Sequence, residues 1–396
     1  MEVVIVEGLR TAVGRMGGTL KEVPAERLGA VVINACMKRS GIPAVEVDEV
    51  ILGCAKQTAD APNVARVAAL YAGMPVEVPA YTVHRQCGSG LQAINNGVQA
   101  ILSGMAQVVL AGGVESMSTA PYYLRGARFG YMAGNAQLVD SNTESQPRSQ
   151  PIEEYGNLTM GLTAENLAEL YQIGREEQDH FALQSQERAQ AAINGGKFVE
   201  QIVPLEVKLK KKTINFKVDE HPRLTSMEKL SSLRAVFKDN GTVTAGNSSG
   251  RNDGASALLL MTMDKAREYG LEPMARVVSQ AVAGVRPDIM GIGPVPATKA
   301  ALDRAGLSLG QIELIELNEA FAAQSLAVIK ELGLDESTTN VNGGAIALGH
   351  PLGATGAILM TKLLYEMKQR GSRYGLTSLC IGGGQGITTI VENMVF

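Results

Sequence analysis

Four short stretches hold residue types that could do covalent chemistry. The first is VHRQCGSGLQAI, where Cys87 precedes apolar residues Leu91, Ile94, Val98 and Ile101 at helical spacing. That spacing predicts a helix starting near Gly88, with Ser89 as its cap. A cysteine at a helix N-terminus meets free N–H groups and the positive end of the dipole, which favour a thiolate. Gly88 and Gly90 would keep the approach open for a bulky ligand. Taken alone, the pattern fits an inert cysteine at a strand end as well as a nucleophile.

The second stretch, GHPLGATG, places His350 at another strand-to-helix junction, framed by Gly349, Pro351, Gly353 and Gly356. Imidazole is the commonest base for activating a thiol. The third, CIGGGQG, starts at Cys380. Its glycines resemble a dinucleotide loop, but the strand pattern ITTIVENMV follows where that loop needs a helix. A glycine run beside a thiol instead lets backbone N–H groups approach a ligand oxygen, as an oxyanion hole requires. The fourth, NEAFA, puts Asn318 at the end of the apolar run IELIEL. Its amide could cap a helix or, beside the other three, hold a water or a carbonyl. No Cys/His spacing resembles a zinc ligand set.

The elements around these stretches decide whether they can meet. Short apolar strands alternate with helical patterns through the chain, which predicts an α/β fold. The order strand, helix, strand, helix, strand, helix, strand from EVVIVEGL to AQVVLAGG recurs from ARVVSQAVAGV to RYGLTSLCIGG. The chain therefore reads as a duplicated α/β unit. One half is expected over residues 1–118 and 245–270, and the other over 271–396. Packed about a pseudo-twofold axis, the halves would bring Cys87 opposite His350. NVNGGAIALG is expected as a strand of the second half. A polar, loop-rich segment, residues 119–244, interrupts the first half and is expected to cover a substrate. Its basic residues Lys208, Lys210, Lys211, Lys212, Lys217 and Arg223 form either an ordinary charged surface or a docking surface for phosphates.

Composition narrows the setting. The 396 residues are 45% hydrophobic and 19% charged, with a formal net charge of −4. That balance gives no reason to expect nucleic acid or an anionic membrane as partner. The N-terminal residues lack the basic flank and apolar length of a secretory signal, and no run is long enough to span a membrane. Four scattered cysteines do not form a disulfide scaffold. A reducing, cytoplasmic location is expected.

Together CGSGLQAI, AGGVESMSTAP, TVTAGNSSGRNDGA, NEAFA, GGAIALGHPLGATG and CIGGGQG resemble the thiolase family, in the family's order and over nearly the whole chain. The resemblance implies the five-layer thiolase fold, with residues 119–244 as its loop domain. It implies that Cys87 takes the acyl group, that His350 activates it, and that Cys380 moves the α-proton of the second acetyl group. Asn318, through a water, and His350 would form one oxyanion hole; the backbone N–H groups of Cys87 and Gly382 would form the other. Ser249 would contact the pantetheine, and Met160, Met290, Ala320 and Phe321 would line the pantetheine and acyl pocket. The phosphates would meet the basic cluster or Arg223.

The implied reaction is reversible Claisen condensation of two acetyl-CoA to acetoacetyl-CoA and CoA, by a ping-pong route through S-acyl-Cys87. Coenzyme A thioesters are then substrates, with no further cofactor and no metal. Thiolysis of longer 3-ketoacyl-CoA or of β-ketoadipyl-CoA is the alternative, because MGIGPVPAT and AIALGHP also occur in such relatives. Thr159 stands where short-chain members often carry histidine, and the segment from Ser141 to Glu154 is unusually polar. Ketoacyl synthases share the nucleophile but use two histidines, and Cys380 argues against them. A non-catalytic acyl-CoA-binding scaffold would lack residues that are all present here. A homo-oligomer, tetramer or dimer, is expected, with the segment after Ala120 as assembly loop.

Overall fold

The computed structural model describes residues 2–395. The first half runs β1 (Val3–Thr11), α1 (Ala25–Ser40), β2 (Glu49–Gly53), α2 (Val64–Tyr71), β3 (Ala80–Val83), α3 (Ser89–Leu102) and β4 (Val108–Ser116). An insertion carrying α4 (Met160–Leu170) and α5 (Arg175–Asn194) precedes its last strand, β5 (Asn252–Thr262). The second half runs β6 (Ala275–Gly284), α6 (Pro294–Ala305), β7 (Leu314–Leu317), α7 (Ala322–Leu332), α8 (Leu352–Arg370), β8 (Tyr374–Ile381) and β9 (Gln385–Asn393).

The two halves repeat one topology. In the first, the spatial order is β1-β5-β4-β2-β3, antiparallel as far as β4 and parallel beyond it. In the second it is β6-β9-β8-β7, with the same change from antiparallel to parallel at β8. The halves meet edge to edge through two residue pairs, Val4↔Arg276 and Ile5↔Ala275. The counterpart of β3 shrinks to a single bridge, Ile315↔Thr339. NVNGGAIALG is therefore not a strand: Asn340 and Gly343 take positive φ, and Ala345–Leu348 forms one helical turn.

Strand alternation builds five layers. In β4, Val108 and Leu110 face an outer cluster with α1 and α2, while Val109 and Ala111 face a central one. That central cluster holds Leu91, Ile94 and Ile101 of α3 with Leu359 and Leu363 of α8, and is closed by Leu379, Ile387 and Val391 of the second sheet. Ile315, Leu376 and Ile390 point the other way, onto α6 and α7. The layers are helix, sheet, paired central helices, sheet and helix. Each fully buried aliphatic side chain contributes roughly 1.5–3 kcal/mol, so the central helices fix how the halves sit.

Their contact is made by glycine. A Cβ on Gly90 would lie 2.7 Å from the Gly353 carbonyl oxygen, and one on Gly356 would lie 2.5 Å from the Leu91 nitrogen. A Cβ on Gly88 would press on Ile381 at 2.6 Å. These glycines let backbones touch across the pseudo-axis; they do not open a path for a ligand, as their position beside Cys87 had suggested.

The insertion is anchored to β1 by a buried ion pair. Arg10 donates to both carboxylate oxygens of Asp219, at 2.7 and 3.0 Å, and Asp219 also accepts the Val13 N–H. Among the described residues no helix is long and apolar enough to cross a membrane.

Candidate active site

The N-termini of α3 and α8 point into one cavity of about 180 Å³. Cys87, His350, Cys380 and Gly382 line it together. Ser249, Met160, Met290, Ala320 and Phe321 line it as well. Of the residues singled out in the sequence, Asn318, Arg223, Thr159 and the clustered lysines are not among the lining groups.

Cys87 sits just before α3, on a turn forced by Gln86, whose φ of 45° is left-handed. A non-glycine residue there costs on the order of 1 kcal/mol. The turn is held by Ser89, whose hydroxyl donates to the Gln86 carbonyl at 2.6 Å and accepts the Arg85 N–H at 2.9 Å. Ser89 is thus a helical residue bracing the Cys87 turn, and the expected Ser89 cap is absent: the cap position belongs to Gly88. The residue as a whole is half-buried. Burial pushes the thiol up to about 11, against the lowering effects of the Gly382 N–H and the Lys56 charge. The expected thiolate is therefore not the resting form, because desolvation outweighs the helix end.

His350 is buried, and its backbone N–H donates to Asn252 Oδ1 at 2.9 Å. Its Nδ1 lies 2.7 Å from Thr355 Oγ1, which donates its own proton to the Pro351 carbonyl at 3.0 Å. The hydroxyl has one proton and has used it, so Nδ1 carries the imidazole proton and donates. Nε2 is then the free lone pair, with no partner in the protein. Burial lowers the imidazole pKa to about 4, so it is neutral at pH 7.

Cys380 ends β8 and is buried, its thiol pushed far above the ordinary range by burial and by Cys87. Gly383 and Gly384 both take left-handed φ, 87° and 84°, and turn the chain straight into β9. The glycine run is a hairpin that aims the Gly382 N–H at Cys87, not a nucleotide loop. Asn318 follows β7 and is fully buried, and neither amide atom has a protein partner. A buried amide left so costs roughly 1–3 kcal/mol unless a ligand or water completes it. Glu319 beside it ties NEAFA to the 340–346 turn by accepting from Ser185, Asn340 and Ile346.

The walls differ in character. Met160, Phe237, Met290, Ala320, Phe321 and Cys380 belong to one apolar cluster, with Phe237 edge-on to Phe321. The Ser249 N–H donates to the Ala320 carbonyl at 3.0 Å, which locks GNSSG to NEAFA. The polar segment that begins at Ser141 supplies Asn142, Ser145, Gln146 and Ser149 to the lining. Thr159 caps α4 by accepting the Leu162 N–H.

Arg223 is exposed, and its guanidinium donates to the Ala245 carbonyl at 3.0 Å. Lys208 and Lys212 lie on the hairpin Leu205–Leu209 and Lys212–Phe216, and none of the clustered lysines lines the cavity. Several lining residues, Phe237 and Arg251 among them, carry no signal in the sequence. Lys56 and Gln86 line the cavity. Glu115 accepts N–H groups of Ala55, Lys56 and Gly353, joining the Lys56 loop to the start of α8. A lone lysine after an apolar strand carries no signal of its own. Among the described residues, no three His, Cys, Asp or Glu side chains converge to hold a metal.

Comparison with known proteins bears on this arrangement. The sequence model of the thiolase N-terminal domain matches residues 3–264, and that of the thiolase C-terminal domain matches residues 271–393. The chain belongs to the thiolase family. This thiolase is 53% identical over 388 residues to an acetyl-CoA acetyltransferase of Pseudomonas aeruginosa, covering 98% of each chain. It is 48% identical to a beta-ketothiolase of Cupriavidus necator, covering 99% of each. Among solved structures, the thiolase resembles the Bacillus anthracis acetyl-CoA acetyltransferase, with TM-score 0.96 and 48% identity over 99% of this chain and 98% of that one. It resembles human mitochondrial 3-ketoacyl-CoA thiolase in complex with CoA at TM-score 0.94 and 46% identity, with the same coverage.

Proposed function

We propose that this thiolase is an acetyl-CoA C-acetyltransferase, joining two acetyl-CoA into acetoacetyl-CoA and CoA, or cleaving acetoacetyl-CoA with CoA. The observation that carries the reading is the convergence of Cys87, the free Nε2 of His350 and Cys380 on one cavity. Relatives named acetyl-CoA acetyltransferase, at about half identity over the full chain, support the acetyl preference.

The resting pair is neutral. Moving the proton from a thiol at about 11 to an imidazole at about 4 spans 7 units. At about 1.4 kcal/mol each, that is on the order of 10 kcal/mol before the ions attract. A preformed ion pair is therefore disfavoured, and His350 takes the proton as the sulfur attacks the thioester carbonyl. The N–H groups of Cys87 and Gly382 meet the oxygen of that tetrahedral intermediate. The departing CoA sulfur takes the Cys380 proton, and the Cys380 thiolate then removes the α-proton of the second acetyl-CoA, while Asn318, through a water, and the Nε2–H that His350 gained from Cys87 hold the enolate oxygen. The enolate carbon bonds to the acetyl carbon, and Cys87 leaves with the His350 proton.

Ser249 and the apolar wall of Met160, Met290, Ala320 and Phe321 serve the pantetheine, and residues 119–244 act as the loop domain on which CoA lies. Arg223 serves the phosphates from the surface. Residues 1–118 with 245–270, and residues 271–396, are the two thiolase halves. Exposed Phe129, Met132 and Leu138 support assembly through the loop after Ala120 into a homotetramer. All four cysteines are free, which supports a reducing, cytoplasmic setting. The test is CoA-dependent cleavage of acetoacetyl-CoA by the wild-type chain. Cleavage that persists undiminished in Cys87→Ala would remove the proposal.

A further inference from the structure

Lys56 is a buried amine in the wall of the cavity that holds Cys87. The residue is only 8% exposed, and lysines this buried are rare unless paired. Its Nζ has neutral acceptors alone: it donates to the Ser141 carbonyl at 3.1 Å and to Ser145 Oγ. Glu115 is near, but its carboxylate is taken up by the N–H groups of Ala55, Lys56 and Gly353. Burial lowers the pKa of Lys56, and Arg251 acts the same way, against the opposing charges of Glu115, Cys87 and Asp140. The free amine, a nucleophile, is therefore more populated here than on an exposed lysine.

Short polar links join the amine to the Cys87 turn. Ser149 Oγ donates to the Ser145 carbonyl at 2.9 Å and accepts from Gln86 at 3.2 Å, and Gln86 precedes Cys87. A Cβ on Gly382, whose N–H faces Cys87, would stand 3.3 Å from the same Ser149 Oγ. Lys56 and Cys87 each feel the other's charge. The proposed reaction leaves a thioester on Cys87, in the same cavity as this amine, until an acceptor discharges it. A thioester passes its acyl group to an amine downhill, because the amide formed is the more stable.

We infer that Lys56 is a modification site fed from within the cavity: S-acetyl-Cys87 passes its acetyl group to Lys56 Nζ when CoA is slow to collect it. The inference rests on the thiolase reading. The amine lone pair bonds to the thioester carbonyl carbon, and the carbon–sulfur bond breaks with its electron pair on Cys87. The nitrogen loses one proton, which returns to Cys380, and Cys87 leaves with the proton that His350 holds. The products are acetyl-Lys56, a neutral amide, and the free Cys87 thiol; nothing is oxidised and no further reactant is needed. The amount formed therefore records how long the acyl-enzyme waits, which acetyl-CoA lengthens and free CoA shortens.

The test incubates the wild-type chain with acetyl-CoA, samples it over hours, and maps both sites by mass spectrometry after acid quench. Acetyl on Cys87 is lost on adding CoA, whereas acetyl on Lys56 stays. Lys56 should be acetylated at least about 10-fold faster than exposed Lys210 and Lys211, since a neighbour held in one cavity acts at a high effective concentration. Cys87→Ala should bring Lys56 down to the rate of those two or below it, while their own rates stay the same. Excess free CoA should suppress the wild-type transfer as well. A Lys56 that stays unmodified while Cys87 is acetylated overturns the inference. So does acetylation of Lys56 at an equal rate in Cys87→Ala, which would make acetyl-CoA in solution the donor. Absence of acetyl from Cys87 itself would instead remove the thiolase reading beneath it.

Discussion

Thr355→Val removes one oxygen from the α8 N-terminus and leaves the shape of the side chain nearly unchanged. That oxygen sits 2.7 Å from His350 Nδ1, inside a site where Thr355 is 2% exposed. Without it, the buried Nδ1–H has no acceptor, and the imidazole can move its proton to Nε2, where it can no longer take one from Cys87. An unsatisfied buried donor costs about 1–3 kcal/mol. At about 1.4 kcal/mol per tenfold, kcat for acetoacetyl-CoA thiolysis should fall roughly 5- to 150-fold. KM should move little, since Thr355 does not line the cavity. The acylation burst, followed by rapid quench, should slow by the same factor. Thr355→Ser keeps the hydroxyl and should recover most of the rate. A Val variant within twofold of wild type would refute the tautomer assignment.

Three further outcomes follow from the same geometry. His350 is held at about 4 by burial, below its ordinary 6.5, so the unfolded chain binds the extra proton between those values. Stability should therefore fall by about 3 kcal/mol as pH drops from about 6.5 to 4. His350→Asn should lose that part of the slope in urea titrations; an unchanged slope would contradict the assignment. Gly90→Ala puts a Cβ 2.7 Å from the Gly353 carbonyl, so it should destabilise by about 1–3 kcal/mol and lower activity. Denaturation midpoints equal to wild type would contradict the close crossing of α3 and α8. Phe129 and Met132 are fully or almost fully exposed, so Phe129→Asp with Met132→Asp should lower the mass seen by light scattering if that loop assembles the protein. A wild-type chain that is already a monomer would count against assembly.

The strand–helix alternation and the repeat are legible because apolar periodicity is local, and the placing of Cys87 and His350 just ahead of α3 and α8, and of Cys380 near the end of β8, follows from it. The 340–348 segment was misread because its alternation of small residues suits a strand, whereas Asn340 and Gly343 need left-handed φ. The roles of Gly88, Gly90 and Gly356 lay hidden because what they touch belongs to distant parts of the chain. The ionisation of Cys87 was misjudged for a related reason. A helix end is visible in sequence, but the burial that overrides it comes from both halves. Lys56 and the 142–149 wall enter the site only through tertiary packing.

The central claim is that Cys87 carries the acyl group. Incubation with acetyl-CoA, acid quench and peptide mapping by mass spectrometry tests it directly. One acetyl group should appear on the peptide containing Cys87, vanish on addition of CoA, and be absent in Cys87→Ser. Acetyl found on Cys380, or on no cysteine while acetoacetyl-CoA still forms, would contradict the account.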